Sequence, residues 1–405
     1  MSGLPGAQGN NPGPEIPRPR LLNGATIHGV AGQRKLRHPA EWPLVWASAV
    51  ITAIAYGLWA ATLAWLALVP EHTGVGTYVR DFLSTDSTAV QALLFLPFMP
   101  IIIWVVRAMM YANMRSNAVQ MSPTQFPEGY RMVVEAAQRQ GLRRVPDAYV
   151  LLGNGAINAF ASGHGFRRFV VVYSDLFEIG GRARDPEALR FVINHEVGHL
   201  AAGHVSYFRL LLTLLARQLP LLGPALSRAQ EYTADNYGYD AAPQGVAGVM
   251  GLLTAGKYLG AQVNTHALAD RAAREKGLWL HLVVWGASHP VPTWRTHALR
   301  DRNRPGRIML RPKESAAWFP PAGAHGSQHS ATWPTPAQVL AHLDSSKPRV
   351  PSEEQFGRYP GISYEVPRDE LRWADPTPAP VSPPPAQPDP WHSPSGAGTD
   401  SSAPA

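Results

Sequence analysis

The chain has 405 residues, room for one substantial domain with appendages, and it carries a net charge of +7 and no cysteine. A cysteine nucleophile is therefore excluded, and the lack of thiols suits a reducing compartment. The basic residues are mainly arginines, dispersed without interleaved aromatic clusters, which argues against nucleic acid and for attraction to anionic lipid.

Residues 1–41 are rich in Gly, Pro and Asn, lack sustained periodicity and read as a disordered segment. From Leu44 to Leu68 the chain is uncharged and almost wholly apolar, longer than the roughly 20 residues that cross a bilayer. Trp42, Trp46 and Trp65 near its ends suit interfacial belts. A second apolar run, 89–106, contains Pro97 and Pro100, which membrane helices tolerate. Residues 42–111 thus read as two transmembrane helices with a short external loop. Arg18, Arg20, Arg34, Lys35 and Arg37 precede the first run, and Arg107 and Arg115 follow the second. The loop holds Arg80 against Glu71, Asp81 and Asp86, so the positive-inside bias places both termini in the cytoplasm of a multi-pass plasma-membrane protein.

Residues 112–303 read as an α+β domain, mainly helical with a small sheet. Periodicity predicts helices over Pro127–Gln140, Pro186–Tyr207, the Glu231 segment, Gly245–Leu259 and His266–Trp285, with strands near Ala148–Leu152 and Phe166–Tyr173. Asp185 is a suitable N-cap, Pro186 fits the first helical position, and Glu187 favours the positive end of the dipole. That helix carries His195-Glu196-Val197-Gly198-His199. Residues four apart share a helix face, so both imidazoles reach one metal ion, and Glu196 stands beside it to take a proton from water.

A hydrolytic zinc takes three protein ligands and leaves a position for water. His204 is out of register for a third histidine of the metzincin kind and reads as a polar residue near the helix end. Glu231 and Asp235, four apart on one face, read as ligand and orienter, with Asp235 accepting the other ring N–H of a ligating histidine. Between His199 and Glu231, the apolar stretch 210–222, interrupted by Arg217, Gln218 and Pro220, is too short for a span and reads as a hairpin at the interface. Residues 304–405 are Pro-rich, with one short helix expected at Ala337–Leu343, and read as a largely disordered tether that offers a partner a polyproline ligand.

Together with two further segments, these motifs carry a family resemblance. Asn158-Ala159-Phe160-Ala161-Ser162-Gly163 precedes the His195 helix, and Ser288-His289-Pro290 with Arg295 follows Glu231. The four elements in this order resemble the HtpX-like membrane zinc metallopeptidases, gluzincins of the group that includes the CAAX prenyl proteases. The resemblance implies one zinc per chain on His195, His199 and Glu231, and Glu196 as the catalytic base of a peptide-hydrolysing endopeptidase. It implies polypeptide substrates, with membrane protein quality control as the setting. Asn158, Ala159, Phe160 and Gly163 are expected to bind substrate along a strand edge, with Asn158 and Gly163 only shaping a turn as the equal alternative. His289 is expected either to stabilise the oxyanion or to gate the metal, and Arg295 either to orient its loop or to bind a substrate carbonyl. A CAAX-type protease is the alternative, against which a two-span anchor argues. An inactive membrane scaffold is a third reading, disfavoured by the intact His195, Glu196, His199 and Glu231.

Overall fold

The computed structural model describes residues 25–68, 74–85, 95–177 and 185–313, with positions 336, 337 and 340. Two helices long and apolar enough to cross a bilayer precede a mainly helical body with one small sheet, the expected class. Helix α1 (Glu41–Leu68) exposes Trp46, Val50, Ile54 and Leu58 along its length, as a helix facing lipid does. A short helix, α2 (Gly74–Ser84), occupies part of the loop where no element was expected. The second apolar helix, α3 (Met99–Asn117), runs past the expected end at 106. Pro97 and Pro100 sit where the chain enters the helix, positions that need no amide donor. Its far end continues because Met110, Tyr111 and Met114 pack on the sheet.

The sheet has the order β1-β2-β4-β3, from β1 (Val119–Gln120), β2 (Asp147–Leu151), β3 (Ala159–His164) and β4 (Arg167–Tyr173). β2 and β4 are parallel, with Tyr149 opposite Val171, and β3 returns antiparallel with Phe160 opposite Val171. β3 is thus an edge strand. The β-branched run Phe169–Val172 is fully buried and forms the floor between α3 on one face and α4 (Pro127–Arg139) on the other.

Against this sheet lies α5 (Pro186–Ala201), begun as expected by Asp185, whose carboxylate accepts from Ala188 N–H at 2.8 Å. The helix stops at Ala201 rather than Tyr207, because Gly203 adopts φ +75° and turns the chain into α6 (Tyr207–Thr213). The 210–222 stretch is a helix and 3-10 turn, and Thr52 of α1 donates to Leu212 O at 2.9 Å. Next comes α7 (Leu222–Ala241), which crosses α5 closely through two glycines. A Cβ at Gly198 would fall 2.8 Å from Tyr237 Cβ, and one at Gly238 would fall 2.9 Å from the Phe191 ring. Helices α8 (Val246–Leu259), α9 (Thr265–Arg274), α10 (Leu278–Gly286) and α11 (Pro292–Arg300) complete the body. The single helix expected over 266–285 is two, separated at Gly277 with φ +135°.

Both expected borders of the body move outward. Residues 25–41, placed in the disordered leader, are folded against the domain: Ile27 N–H donates to Gly141 O at 2.8 Å, Gln33 N–H to the Tyr237 hydroxyl at 3.1 Å, and His38 N–H to Thr233 Oγ1 at 3.0 Å. A short backbone pairing between Thr26 and Leu142 and single side-chain acceptors at Tyr237 and Thr233 satisfy these backbone groups, which produces no hydrophobic period. Residues 304–313, assigned to the tail, lie across α7 and α10. There Tyr232 donates to Arg307 O at 3.1 Å, Trp285 Nε1 to Met309 O at 2.7 Å, and His38 Nε2 to Gly306 O at 2.8 Å. Residues 1–24 and most of the expected 337–343 helix lie outside the described residues.

Candidate metal centre and cleft

The close crossing of α5 and α7 brings Glu231 over His195 and His199, all of which are at least mostly buried. His195 Nδ1 lies 2.9 Å from Asp235 Oδ1. A carboxylate only accepts, so Nδ1 carries the proton and Nε2 presents a bare lone pair. Asp235 is held in turn by Arg295, whose Nε and Nη2 donate to its two oxygens at 2.8 and 2.6 Å.

The same logic fixes the second ring from the other side. His204 is buried, and its Nε2 lies 3.2 Å from Glu41 Oε1, so that nitrogen donates. Its Nδ1 is left as an acceptor, 2.8 Å from His199 Nδ1, which therefore donates and leaves His199 Nε2 bare. Glu41 is itself wholly buried, accepting from Arg37, Arg209 and Thr233 as well. His204 was expected to be a polar residue at a helix end. It is instead the acceptor that sets the tautomer of His199.

Two bare imidazole nitrogens now face each other at 3.2 Å, with Glu231 Oε2 3.4 Å from one and Oε1 3.5 Å from the other. Three converging lone-pair donors repel one another unless a cation lies among them. Ligands at about 2.0–2.1 Å around a tetrahedral zinc are separated by about 3.3 Å, so these spacings fit a zinc ion's donor set. Two nitrogens and one carboxylate oxygen is also the composition a catalytic zinc takes when its fourth position is open.

A proton is the competing cation. Burial disfavours a charge on His195, but hydrogen bonds with Asp235 and Glu231 outweigh it and raise its pKa to about 9. Burial holds His199 well below its ordinary value. Glu231 is the opposite case: burial would raise it, yet the charges of His199 and His195 keep it well below the usual carboxylate range. Glu196 is pushed up to about 7, chiefly by burial, with the Glu231 charge adding to the effect and the His195 charge opposing it.

A cleft of about 540 Å³ opens onto these groups. Asn158, Ala159 and Phe160 line it along the outer edge of β3, beside Glu196 and His289. The Asn158 side chain accepts from Ala159 N–H at 2.9 Å, and its carbonyl accepts from Tyr173 N–H at 3.0 Å, fixing the entry to the strand. Gly163, grouped with these residues from the sequence, does not line the cleft. It sits at the hairpin end, where a Cβ would fall 2.6 Å from Arg167 O.

His289 reaches the open side of the centre, with Nε2 3.5 Å from Glu231 Oε1 and a side chain 66% exposed. Arg228 holds its loop. This guanidinium is wholly buried in α7 and donates to Val284 O at 2.7 Å, Ala287 O at 2.6 Å and Ile308 O at 3.0 Å. Its position in the turn before Glu231, on the same helix, was the available signal. Arg295, expected either to orient its loop or to bind a substrate carbonyl, lines the cleft while two of its nitrogens are committed to Asp235 and its side chain is 12% exposed.

The model of peptidase family M48 matches residues 123–215 and 206–303, which span α4 to α11 and contain every group of the centre except Glu41. No curated protein and no solved structure matches the chain.

Proposed function

Because the chain belongs, through residues 123–303, to peptidase family M48, a family of zinc-dependent metallopeptidases, we propose that it is a membrane-anchored zinc endopeptidase. The observation that carries this reading is the set of three facing donors at 3.2, 3.4 and 3.5 Å, with both imidazoles held in the metal-binding tautomer. His195, His199 and Glu231 would hold the ion. Zinc, when bound, supplies a Lewis acid that polarises the scissile carbonyl and acidifies water.

The remaining steps belong to the chain. The edge of β3 offers its backbone N–H and C=O groups to an extended polypeptide, which adds as a further strand beside the centre. Such pairing reads backbone, so a range of sequences is accepted. Glu196 takes the proton of the attacking water and delivers it to the leaving amine nitrogen; a carboxyl held near neutrality by burial suits both transfers. His289, on the solvent side of Glu231, donates to the oxygen on which charge develops.

The arginine excess before α1 and after the second apolar run supports a cytoplasmic catalytic domain against the inner leaflet. A cleft lined in part by Ile102, Ile103 and Val106 of the second apolar helix suits membrane or misfolded proteins as substrates.

The test is zinc content together with casein hydrolysis by the detergent-purified chain. We expect one zinc per chain, retained in Glu196→Gln while cleavage falls by about 10²-fold or more. Zinc-free protein, or a variant that cleaves as well as the original, would defeat the proposal. For topology, a C-terminal tag in right-side-out vesicles should resist external protease, and its digestion would reverse the orientation.

A further inference from the structure

A second cavity, of about 450 Å³, lies between the start of α1, the middle of α3 and the β3–β4 hairpin. Trp42 and Val45 line it from α1, Trp104 from α3 and Leu212 from α6. Six arginines line it, of which Arg167 pairs with Asp147 and Arg209 with Glu41; Arg107 from α3 and Arg168 from β4 are two of the others. Its walls are thus apolar with a basic end.

Among the described residues, Arg107 and Arg168 lack a counterion. Arg107 is only 7% exposed, and no hydrogen bond or carboxylate holds it among the described residues. The charge that bears on it is another cation, Arg168, whose Nη1 donates to the carbonyls of Gly165 and Arg167 at 3.0 and 2.9 Å. The acidic lining residue Asp147 is engaged elsewhere, accepting from the Tyr111 hydroxyl at 2.7 Å and pairing with Arg167 at 3.6 Å. A buried guanidinium beside a like charge is unfavourable unless an anion completes the site.

The position decides which anion. Trp42 and Trp104 mark the level at which the two apolar helices meet the folded body, where aromatic side chains and headgroups share the interface. Above that level α1 exposes Trp46 and Val50, and α3 exposes Ile101 and Ile102. We propose that this cavity binds one anionic phospholipid, its phosphate on Arg107 and Arg168 and an acyl chain along Trp42, Val45 and Leu212. Arg107 also lines the catalytic cleft, so the headgroup would sit behind the wall of the substrate groove. The inference rests on the membrane-embedded part of the proposed function and not on its zinc chemistry.

Native mass spectrometry of the full chain in detergent tests it, with dioleoylphosphatidylglycerol and dioleoylphosphatidylcholine as separate probes. One tightly held phosphatidylglycerol is expected, bound at least roughly tenfold better than phosphatidylcholine, given the contribution of each interfacial arginine. The double variant Arg107→Gln/Arg168→Gln should lose that preference, while Arg107→Lys/Arg168→Lys keeps it and Arg115→Gln leaves it unchanged. Should the glutamine pair fail to fold, Leu212→Trp narrows the acyl end alone and is expected to weaken phosphatidylglycerol binding. Glycerol 3-phosphate in hundredfold excess should not displace the lipid. Equal binding of the two lipids, full retention by the glutamine pair, or displacement by glycerol 3-phosphate would each overturn the proposal. Carbonate extraction from vesicles separates the two failures: an extractable chain refutes the membrane anchor, whereas an integral chain without lipid preference refutes only this site.

Discussion

His204→Phe removes the acceptor that keeps the proton of His199 on Nδ1, while filling the space of a ring that is 3% exposed. Without it, His199 can carry its proton on Nε2, the atom that faces His195 and Glu231. Loss of such an outer partner typically weakens metal affinity by about 10–100-fold, which corresponds to about 1.4–2.7 kcal/mol. Glu41 keeps Arg37, Arg209 and Thr233 as donors, so the metal-free fold should lose one donor's worth, about 1–3 kcal/mol, which the metal-free melt reads separately from the zinc affinity. The assay is competition for zinc against a chelator of known affinity, run beside thermal melts with and without the metal. His204→Gln is the control, because its carbonyl can accept from His199 while its amide donates to Glu41. The expected order of affinity is original, then His204→Gln, then His204→Phe. A phenylalanine variant that binds zinc within twofold of the original would show that the tautomer is set by something else.

Gly198→Ala places a Cβ 2.8 Å from Tyr237 Cβ, backbone-borne on both sides, so α7 must shift. Overpacking of this kind costs about 1–3 kcal/mol in a melt, and zinc affinity should fall with it because Glu231 rides on α7. Arg228→Met strips the donors from the carbonyls of Val284, Ala287 and Ile308. It should lower kcat through a loosened His289 loop while zinc content stays at one, and an unchanged kcat in the folded variant would remove His289 from the mechanism. Arg295→Gln leaves Asp235 buried with its main counter-charge gone, which should destabilise the chain by about 3–5 kcal/mol in denaturant titration. The pH dependence has a definite sign. In metal-free protein His195 is raised above its unfolded value to about 9, so its contribution to stability is full below about 6.5 and lost as pH rises through 9. Zinc needs the neutral ring, so zinc uptake near pH 7.5 should release protons, seen calorimetrically as a buffer-dependent enthalpy. A heat independent of buffer would contradict this.

The part of the centre that was legible in the sequence is the part built by local geometry. His195, Glu196 and His199 follow from helix spacing, and the helix itself from Asp185 and Pro186. Glu231 and Asp235 were readable because a second helix repeats the same four-residue spacing toward a known need, a third ligand and an orienter. What stayed hidden was tertiary pairing. The contact between His204 and Glu41 spans 163 residues, and a lone glutamate before an apolar run looks like a flanking charge. Arg228 read as one more dispersed arginine, since burial of a cation on backbone carbonyls has no period. The folded stretch 25–41 failed for a related reason, being held by a brief backbone pairing with residues 141–143 and by single side-chain bonds rather than by an apolar face. The edge strand β3 was not among the strands predicted from β-branched runs and was anticipated only through the resemblance at Asn158–Gly163, because its own composition, Ala159-Phe160-Ala161-Ser162-Gly163, carries little β-propensity.

The placement of Glu41 has a practical bearing on how this protein can be handled. Its carboxylate belongs to the first turn of α1, yet it ends the chain of bonds that begins at His199. The obvious way to obtain a soluble catalytic domain is to start the polypeptide after the second apolar helix. Such a fragment would discard Arg37 and Glu41 together and leave Arg209 and His204 buried without their anion. Graft points that keep residues 25–41 and bridge directly to the α3 end would preserve the metal centre; simple truncation would yield a domain whose weak zinc binding reflects the cut and not the protein.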